Sequence, residues 1–180
     1  MKNIVIITGS PRKNGNSTLL AKAFMEGAKE AGHNVFLFET ANKKLSPCIA
    51  CETCFSKGQA CSISDDFNGI TPMLEKAEVL VFSTPLYWFS FSSQIKMVID
   101  RLYSYSTGKK ELKIKKAALM VSAATDDIKD FDGVIRSFEL ILSYTKWENA
   151  GILTVPNVSD PGDVNKTGGL IKAKELGLNI

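Results

Sequence analysis

A continuous apolar run opens directly into a polar loop and then a helical pattern at the start of the chain. Ile4-Val5-Ile6-Ile7-Thr8 is followed by Gly9-Ser10-Pro11-Arg12-Lys13-Asn14-Gly15-Asn16-Ser17-Thr18, and then Leu19, Leu20, Ala23, Phe24, Gly27 and Ala28 recur at helical spacing. An apolar run without alternation is how a strand covered on both faces reads, so this chain needs helices on both sides of its sheet. The loop leads into a helix N-terminus, whose unpaired N–H groups and positive dipole end attract an anion. The hydroxyls of Ser10, Ser17 and Thr18, the amides of Asn14 and Asn16 and the guanidinium of Arg12 suit a phosphate.

Two common phosphate loops are excluded by spacing. A Walker A loop has four residues between its glycines, then Lys and Ser or Thr. Here five residues separate Gly9 from Gly15, and Asn16 stands where the lysine belongs. A dinucleotide fingerprint needs a second glycine two positions after the first, and Pro11 occupies that place. A hydroxyl-rich loop for a monophosphate remains, and FMN carries such a group. The plainer alternative is a strand-to-helix loop in which Ser17 or Asn16 caps the helix.

Four more apolar runs repeat the strand signal: Val35-Phe36-Leu37-Phe38, Val79-Leu80-Val81-Phe82, Ala117-Ala118-Leu119-Met120-Val121 and Gly151-Ile152-Leu153-Thr154-Val155. Helical stripes lie between most of them. One comprises Ile95, Val98, Ile99 and Leu102; another Phe131, Val134, Ile135, Phe138, Ile141 and Leu142; a last helix is expected over about 163–178, weakened by Gly168-Gly169. Strands alternating with helices specify a doubly wound parallel sheet. Ligands of such sheets bind at the carboxyl ends of the strands, near the switch in strand order, which directs attention to the loops after Thr8, Ser83 and Val121. The 180 residues fit one domain, 1–180. Hydrophobic residues make up 44%, enough for a full core, and a net charge of +3 is too mild to indicate nucleic acid. No apolar stretch approaches the roughly 20 residues of a membrane span. The chain enters a strand at once, so a cytoplasmic protein without a signal peptide is expected.

The loop after the third strand, Ser83-Thr84-Pro85-Leu86-Tyr87-Trp88-Phe89-Ser90-Phe91, places aromatic residues at the ligand edge. Such a wall serves a flat ring system, with backbone groups reading its polar rim. Phe91 reads as core; Tyr87 and Trp88 read as ligand contacts, which a dimer interface could share. The fourth loop, Ser122-Ala123-Ala124-Thr125, is small enough for close backbone approach.

All four cysteines, Cys48, Cys51, Cys54 and Cys61, lie in one stretch of an insertion over about 40–66 that the sheet does not require. Structural zinc sites use two separated pairs. Three cysteines at two-residue intervals with a fourth nearby are spaced like ferredoxin-type ligands of a [4Fe–4S] cluster. Zinc, redox-active thiols and cysteines without a cofactor are the alternatives.

Together these residues resemble a known family. The loop from Thr8 to Thr18 is similar to the FMN phosphate loop of the NADPH-dependent FMN reductases. The cysteine run, Asp65-Asp66, Ser83-Thr84-Pro85-Leu86-Tyr87-Trp88, Lys96 and Asp100-Arg101 resemble the iron-sulfur flavoprotein branch of that group. The resemblance implies a flavodoxin-like fold, strand order 2-1-3-4-5, one FMN per subunit and a homodimer or homotetramer. It implies that Ser10, Arg12, Asn16, Ser17 and Thr18 hold the phosphate and that Pro85, Leu86, Tyr87, Trp88 and Phe89 line the ribityl chain and ring. Ser122, Ala123, Ala124 and Thr125 would approach the ring edge, although alanines stand where relatives carry glycines.

Few side chains compete for acid–base roles. His33, the sole histidine, precedes the second strand and reads as a surface residue. Asp65-Asp66 read as helix caps, and Asp100-Arg101 as an ion pair or subunit contact. Lys109, Lys110, Lys113, Lys115 and Lys116 read as a solvated face. The expected function is an FMN-dependent oxidoreductase with no catalytic side chain of its own. It would take electrons from NAD(P)H or ferredoxin and pass them to a quinone, a free flavin or oxygen. An electron carrier and a zinc-binding interaction module on the same scaffold are the alternatives.

Overall fold

The computed structural model describes residues 1–180. Its five strands are β1 (Asn3–Thr8), β2 (Asn34–Glu39), β3 (Val79–Pro85), β4 (Lys116–Ser122) and β5 (Glu148–Val155). They form one parallel sheet in the order β2-β1-β3-β4-β5. All five apolar runs are strands, and the flavodoxin-like order expected from the resemblance is the observed one. The helices are α1 (Asn16–Glu30), α2 (Phe67–Leu74), α3 (Ser93–Arg101), α4 (Tyr103–Thr107), α5 (Asp132–Thr145) and α6 (Gly169–Leu178).

Each face of the sheet is covered, as parallel strands require. Ile4, Ile6, Val79, Val81, Ala118 and Met120 pack on Leu20, Phe24 and Ala28 of α1 and Ala173 of α6. Val5, Ile7, Leu80, Phe82, Leu119 and Val121 meet Ile70, Ile95, Val134 and Phe138 of α2, α3 and α5. Phe91 belongs to this second core, edge-on to Phe82 at 6.1 Å.

Two elements differ from the sequence reading. The last helix is broken: a single 3-10 turn (Asp163–Lys166) precedes α6, with Thr167 extended between them. Arg101 does not pair with Asp100. Asp100 binds Lys96 one helical turn back at 2.5 Å, whereas Arg101 is buried and reaches Asp65. Helical geometry explains this, because adjacent residues project about 100° apart and only i, i+3 and i, i+4 neighbours meet. Asp65 does bind the Phe67 N–H at the start of α2, while Asp66 receives the Lys44 N–H instead. His33 lies in the turn before β2, near the strand starts; burial lowers its pKa, and its Nδ1 accepts from the Lys2 N–H. No helix is long and apolar enough to cross a membrane.

Candidate active site

β1 delivers its loop to the carboxyl edge, where β3 fixes it. The Gly9 N–H donates to the Ser83 carbonyl at 2.8 Å, the Ser92 hydroxyl donates to the Gly9 carbonyl at 2.6 Å, and the Ser83 hydroxyl donates to the Ser17 carbonyl at 2.6 Å. The loop closes tightly on itself: a Cβ on Gly15 would stand 2.2 Å from the Ser10 hydroxyl. Gly15, not Ser17 or Asn16, is the N-cap of α1, and no side chain caps the helix. The N–H groups of its first turn are therefore left for a ligand.

Ser10, Arg12, Asn16 and Ser17 line one pocket together with Pro85, Leu86 and Tyr87 from the third loop and Ser122, Ala123 and Ala124 from the fourth. These three stretches of sequence thus converge at the carboxyl edge, where the strand order switches between β1 and β3. Arg12 is the sole charged residue in that lining. The Ser17 hydroxyl is 1% exposed yet has no hydrogen-bond partner. A buried hydroxyl without a partner costs about 1–3 kcal/mol, so its presence beside free helix N–H groups fits an incoming phosphate oxygen.

The remaining expected residues are distributed around this pocket. Thr18 is buried in the first turn of α1 and lines no part of the pocket. Trp88, Phe89 and Thr125 line an adjoining depression with Leu86, Tyr87, Ala123, Ala124 and Asp130. Trp88 and Phe89 occupy the left-handed backbone region, φ 47° and 59°, at the centre of a turn closed by reciprocal Tyr87 and Ser90 backbone bonds. Bulky residues there cost on the order of 1–3 kcal/mol each, a pattern concentrated at functional sites. The turn leaves Trp88 93% exposed and Phe89 54% exposed.

One wall has no counterpart in the sequence reading. After β5, Val158, Ser159 and Pro161 complete the lining. Arg12 donates to the Ser159 carbonyl at 2.8 Å. The Asn16 amide donates to the Asp160 carbonyl, and its oxygen accepts the Gly162 and Val164 N–H groups at 3.1 and 3.2 Å. Asn16 thus spends most of its carboxamide on pinning this wall. The Pro161-Gly162-Asp163 turn, a few residues past the end of the last strand at Val155, is the available sequence signal.

The cysteines gather elsewhere, against α3 and α4. Cys48, Cys51, Cys54 and Cys61 all line one mostly apolar cavity with Ile63, Arg101 and Tyr103. Ala50, Glu52 and Phe55 have positive φ, and such left-handed residues curl a chain so that backbone N–H groups turn inward, as at many iron-sulfur sites. The Thr53 hydroxyl beside the Cys51 sulfur, with Ser62 next to it, lowers that thiol to about 7. Burial and the three neighbouring thiols raise Cys54. Four thiols on one cavity suit a cubane, which spreads its ligands over four irons.

A large groove lies between α4 and α5, away from the carboxyl edge and sharing Tyr103 with the cysteine cavity, lined by Leu102, Tyr103, Leu140, Tyr144 and Trp147 among others. It is mainly apolar and lacks the convergent donors of the carboxyl edge.

The chain is 36% identical over 98 residues to an iron-sulfur flavoprotein of Methanocaldococcus jannaschii, an alignment covering 54% of this chain and 50% of that protein. The chain therefore spans about half the length of the iron-sulfur flavoprotein it matches. It is 25% identical over 168 residues to YwqN of Bacillus subtilis, named as a candidate NAD(P)H-dependent FMN-containing oxidoreductase, covering 89% of this chain and 88% of that one. Among solved structures, an NAD(P)H:quinone oxidoreductase from Methanothermobacter marburgensis superposes with a TM-score of 0.77 at 19% identity, covering 99% of this chain and 96% of the other. With the model of the NADPH-dependent FMN reductases matching residues 2–135, and the phosphate-suited helix terminus inside that span, the chain belongs to the NADPH-dependent FMN reductase family.

Proposed function

We propose that this chain is an FMN-dependent oxidoreductase that accepts electrons from NAD(P)H and delivers them to a small acceptor of the quinone type. The observation carrying this reading is the unpartnered, buried Ser17 hydroxyl at an uncapped helix N-terminus, within a pocket shared with the aromatic third loop. FMN, when bound, supplies the hydride and electron chemistry. The protein's part is binding and orientation. Ser17, Ser10 and the first-turn N–H groups of α1 hold the phosphate, and Arg12 adds positive charge at its rim. Pro85, Leu86 and Tyr87 flank the ribityl chain and ring, while Ser122, Ala123 and Ala124 let backbone groups approach the ring edge. Trp88, Phe89 and Thr125 border the outer depression, where an acceptor would meet the ring. Thr18, buried behind the pocket lining, supports the first turn of α1 and is assigned no side-chain contact to the phosphate. No side chain is assigned a proton-transfer step.

The cysteine cavity favours a second cofactor. Four thiols on one cavity and the iron-sulfur flavoprotein relatives support a [4Fe–4S] cluster ligated by Cys48, Cys51, Cys54 and Cys61, with ferredoxin as an alternative donor. The exposed Trp88 and Phe89 support a homodimer or homotetramer in which a second copy covers these rings.

Anaerobic purification followed by a visible spectrum, iron and sulfide assays and steady-state NADPH oxidation with a quinone tests the whole reading. Flavin bands with quinone-dependent NADPH oxidation are expected. Protein that is colourless and does not take up added FMN refutes it. Flavin without NAD(P)H turnover points to an electron carrier, and zinc in an FMN-free chain points to an interaction module.

A further inference from the structure

The guanidinium of Arg101 closes the cysteine insertion. Its Nη1 donates to both carboxylate oxygens of Asp65, at 2.6 and 2.5 Å, and approaches the Ser46 carbonyl at 3.4 Å. Its Nη2 donates to the Ile63 carbonyl at 3.3 Å. One side chain therefore ties the backbone just before Cys48 to the backbone just after Cys61, and every cysteine lies inside that ring. Arg101 is 1% exposed, and its guanidinium carbon stacks 4.3 Å over the Phe67 ring.

A buried charge on this scale needs a strong reason, because desolvation costs several kcal/mol per ion and one carboxylate recovers it only with good geometry. Here the geometry is incomplete. The Arg101 Nε is buried and has no hydrogen-bond partner, and Arg101 itself lines the cavity of the four thiols. An unpaired cationic donor on a residue that lines the thiol cavity suits an anionic partner in that cavity.

We propose that Arg101 is the positioning residue of the cysteine cavity: it locks the insertion around the thiols and directs its free Nε–H and charge toward the anionic sulfur centre held there. This rests on the cluster reading given under the proposed function. A cubane with four thiolate ligands is net negative, and uptake of one electron makes it more so. A neighbouring cation favours the reduced form, and Asp65 opposes that effect.

The two partners of the ion pair therefore predict opposite shifts. Arg101→Met removes the cation and leaves Asp65 unopposed, so reduction becomes harder. Asp65→Asn removes the anion and leaves Arg101 unopposed, so reduction becomes easier. Arg101→Lys keeps the charge and stays near wild type in potential while losing the fork that holds Ser46 and Ile63. The experiment reconstitutes the FMN-loaded chain anaerobically with ferrous iron and sulfide. It then measures iron and sulfide per chain, bound flavin, and the cluster midpoint in a dithionite titration followed by electron paramagnetic resonance. The expected result is a shift of about tenfold in the one-electron reduction equilibrium, about 59 mV, downward for Arg101→Met and upward for Asp65→Asn. Should Arg101→Met fail to fold, the upward shift in Asp65→Asn carries the test. Equal midpoints in iron-loaded variants, or a shift in the same direction for both, overturn the role of Arg101 and leave the cluster standing. Wild-type protein that binds FMN but takes up no iron overturns the cluster reading and this role with it.

Discussion

Replacing Ser17 by alanine should move the stability of the ligand-free protein and its affinity for FMN in opposite directions. In the free protein the Ser17 hydroxyl is buried without a partner. Removing it relieves an unsatisfied polar group, a cost of about 1–3 kcal/mol, and gains about 0.5 kcal/mol of helix propensity. Against this stands a small loss of packing, so a net stabilisation of about 1–3 kcal/mol is expected. The backbone carbonyl of Ser17 still accepts from the Ser83 hydroxyl at 2.6 Å, so the loop keeps its anchor. In the FMN complex the same hydroxyl donates to a charged phosphate, worth about 1.5–3 kcal/mol. Its loss corresponds to roughly 10–100-fold weaker binding. Urea unfolding of the ligand-free variant and quenching of flavin fluorescence on titration give the two numbers. A variant that is less stable than wild type, or one that binds FMN equally well, refutes the assignment of Ser17 to the phosphate.

Other perturbations test the parts that support this site. Asn16→Ala leaves the buried Val164 N–H without its acceptor, costing about 1–3 kcal/mol; hydrogen exchange over residues 159–164 should accelerate, and unchanged exchange contradicts its role as a clamp. Gly177→Ala places a Cβ 2.1 Å from the Phe24 carbonyl oxygen of α1; forcing α1 and α6 apart should destabilise by about 1–3 kcal/mol or more, read by thermal unfolding, and an unchanged melting temperature refutes the close crossing. In metal-free protein Cys51 should be alkylated increasingly as pH rises through about 7, because its thiolate is favoured by the Thr53 hydroxyl. Thr53→Val should move that midpoint upward, and a midpoint unaffected by the substitution removes the hydrogen bond as its cause.

The sheet is legible in the sequence because its signal is local. Each strand is a short apolar run, buried on both faces in β1, β3 and β4 and partly exposed in the edge strands β2 and β5, and the long polar loop after β1 marks the ligand edge by its composition alone. What escapes a sequence reading is determined by residues far apart in the chain. Asn16 reads as one more polar donor in a phosphate loop, yet most of its carboxamide is spent on residues after β5. Nothing near residue 16 announces that partner. Arg101 follows Asp100 directly, which invites pairing of neighbours, but the helix turns Arg101 inward to Asp65, over thirty positions earlier. The left-handed backbone at Trp88 and Phe89 is also hidden, because turns of that kind are normally signalled by Asn or Gly. Tertiary constraints impose it against local preference. The break before α6 shows the reverse case: Gly168-Gly169 is visible as a weak point, and the helix begins only there.

The central claim is that the α1 terminus is built for the phosphate of FMN, and riboflavin is the same ligand without that phosphate. Parallel fluorescence titrations of the ligand-free wild-type chain with FMN and with riboflavin isolate its contribution. At least about 100-fold tighter binding of FMN is predicted, corresponding to roughly 3 kcal/mol from the charged hydrogen bonds and helix dipole. Equal affinity for the two flavins, or no binding of either, contradicts the account.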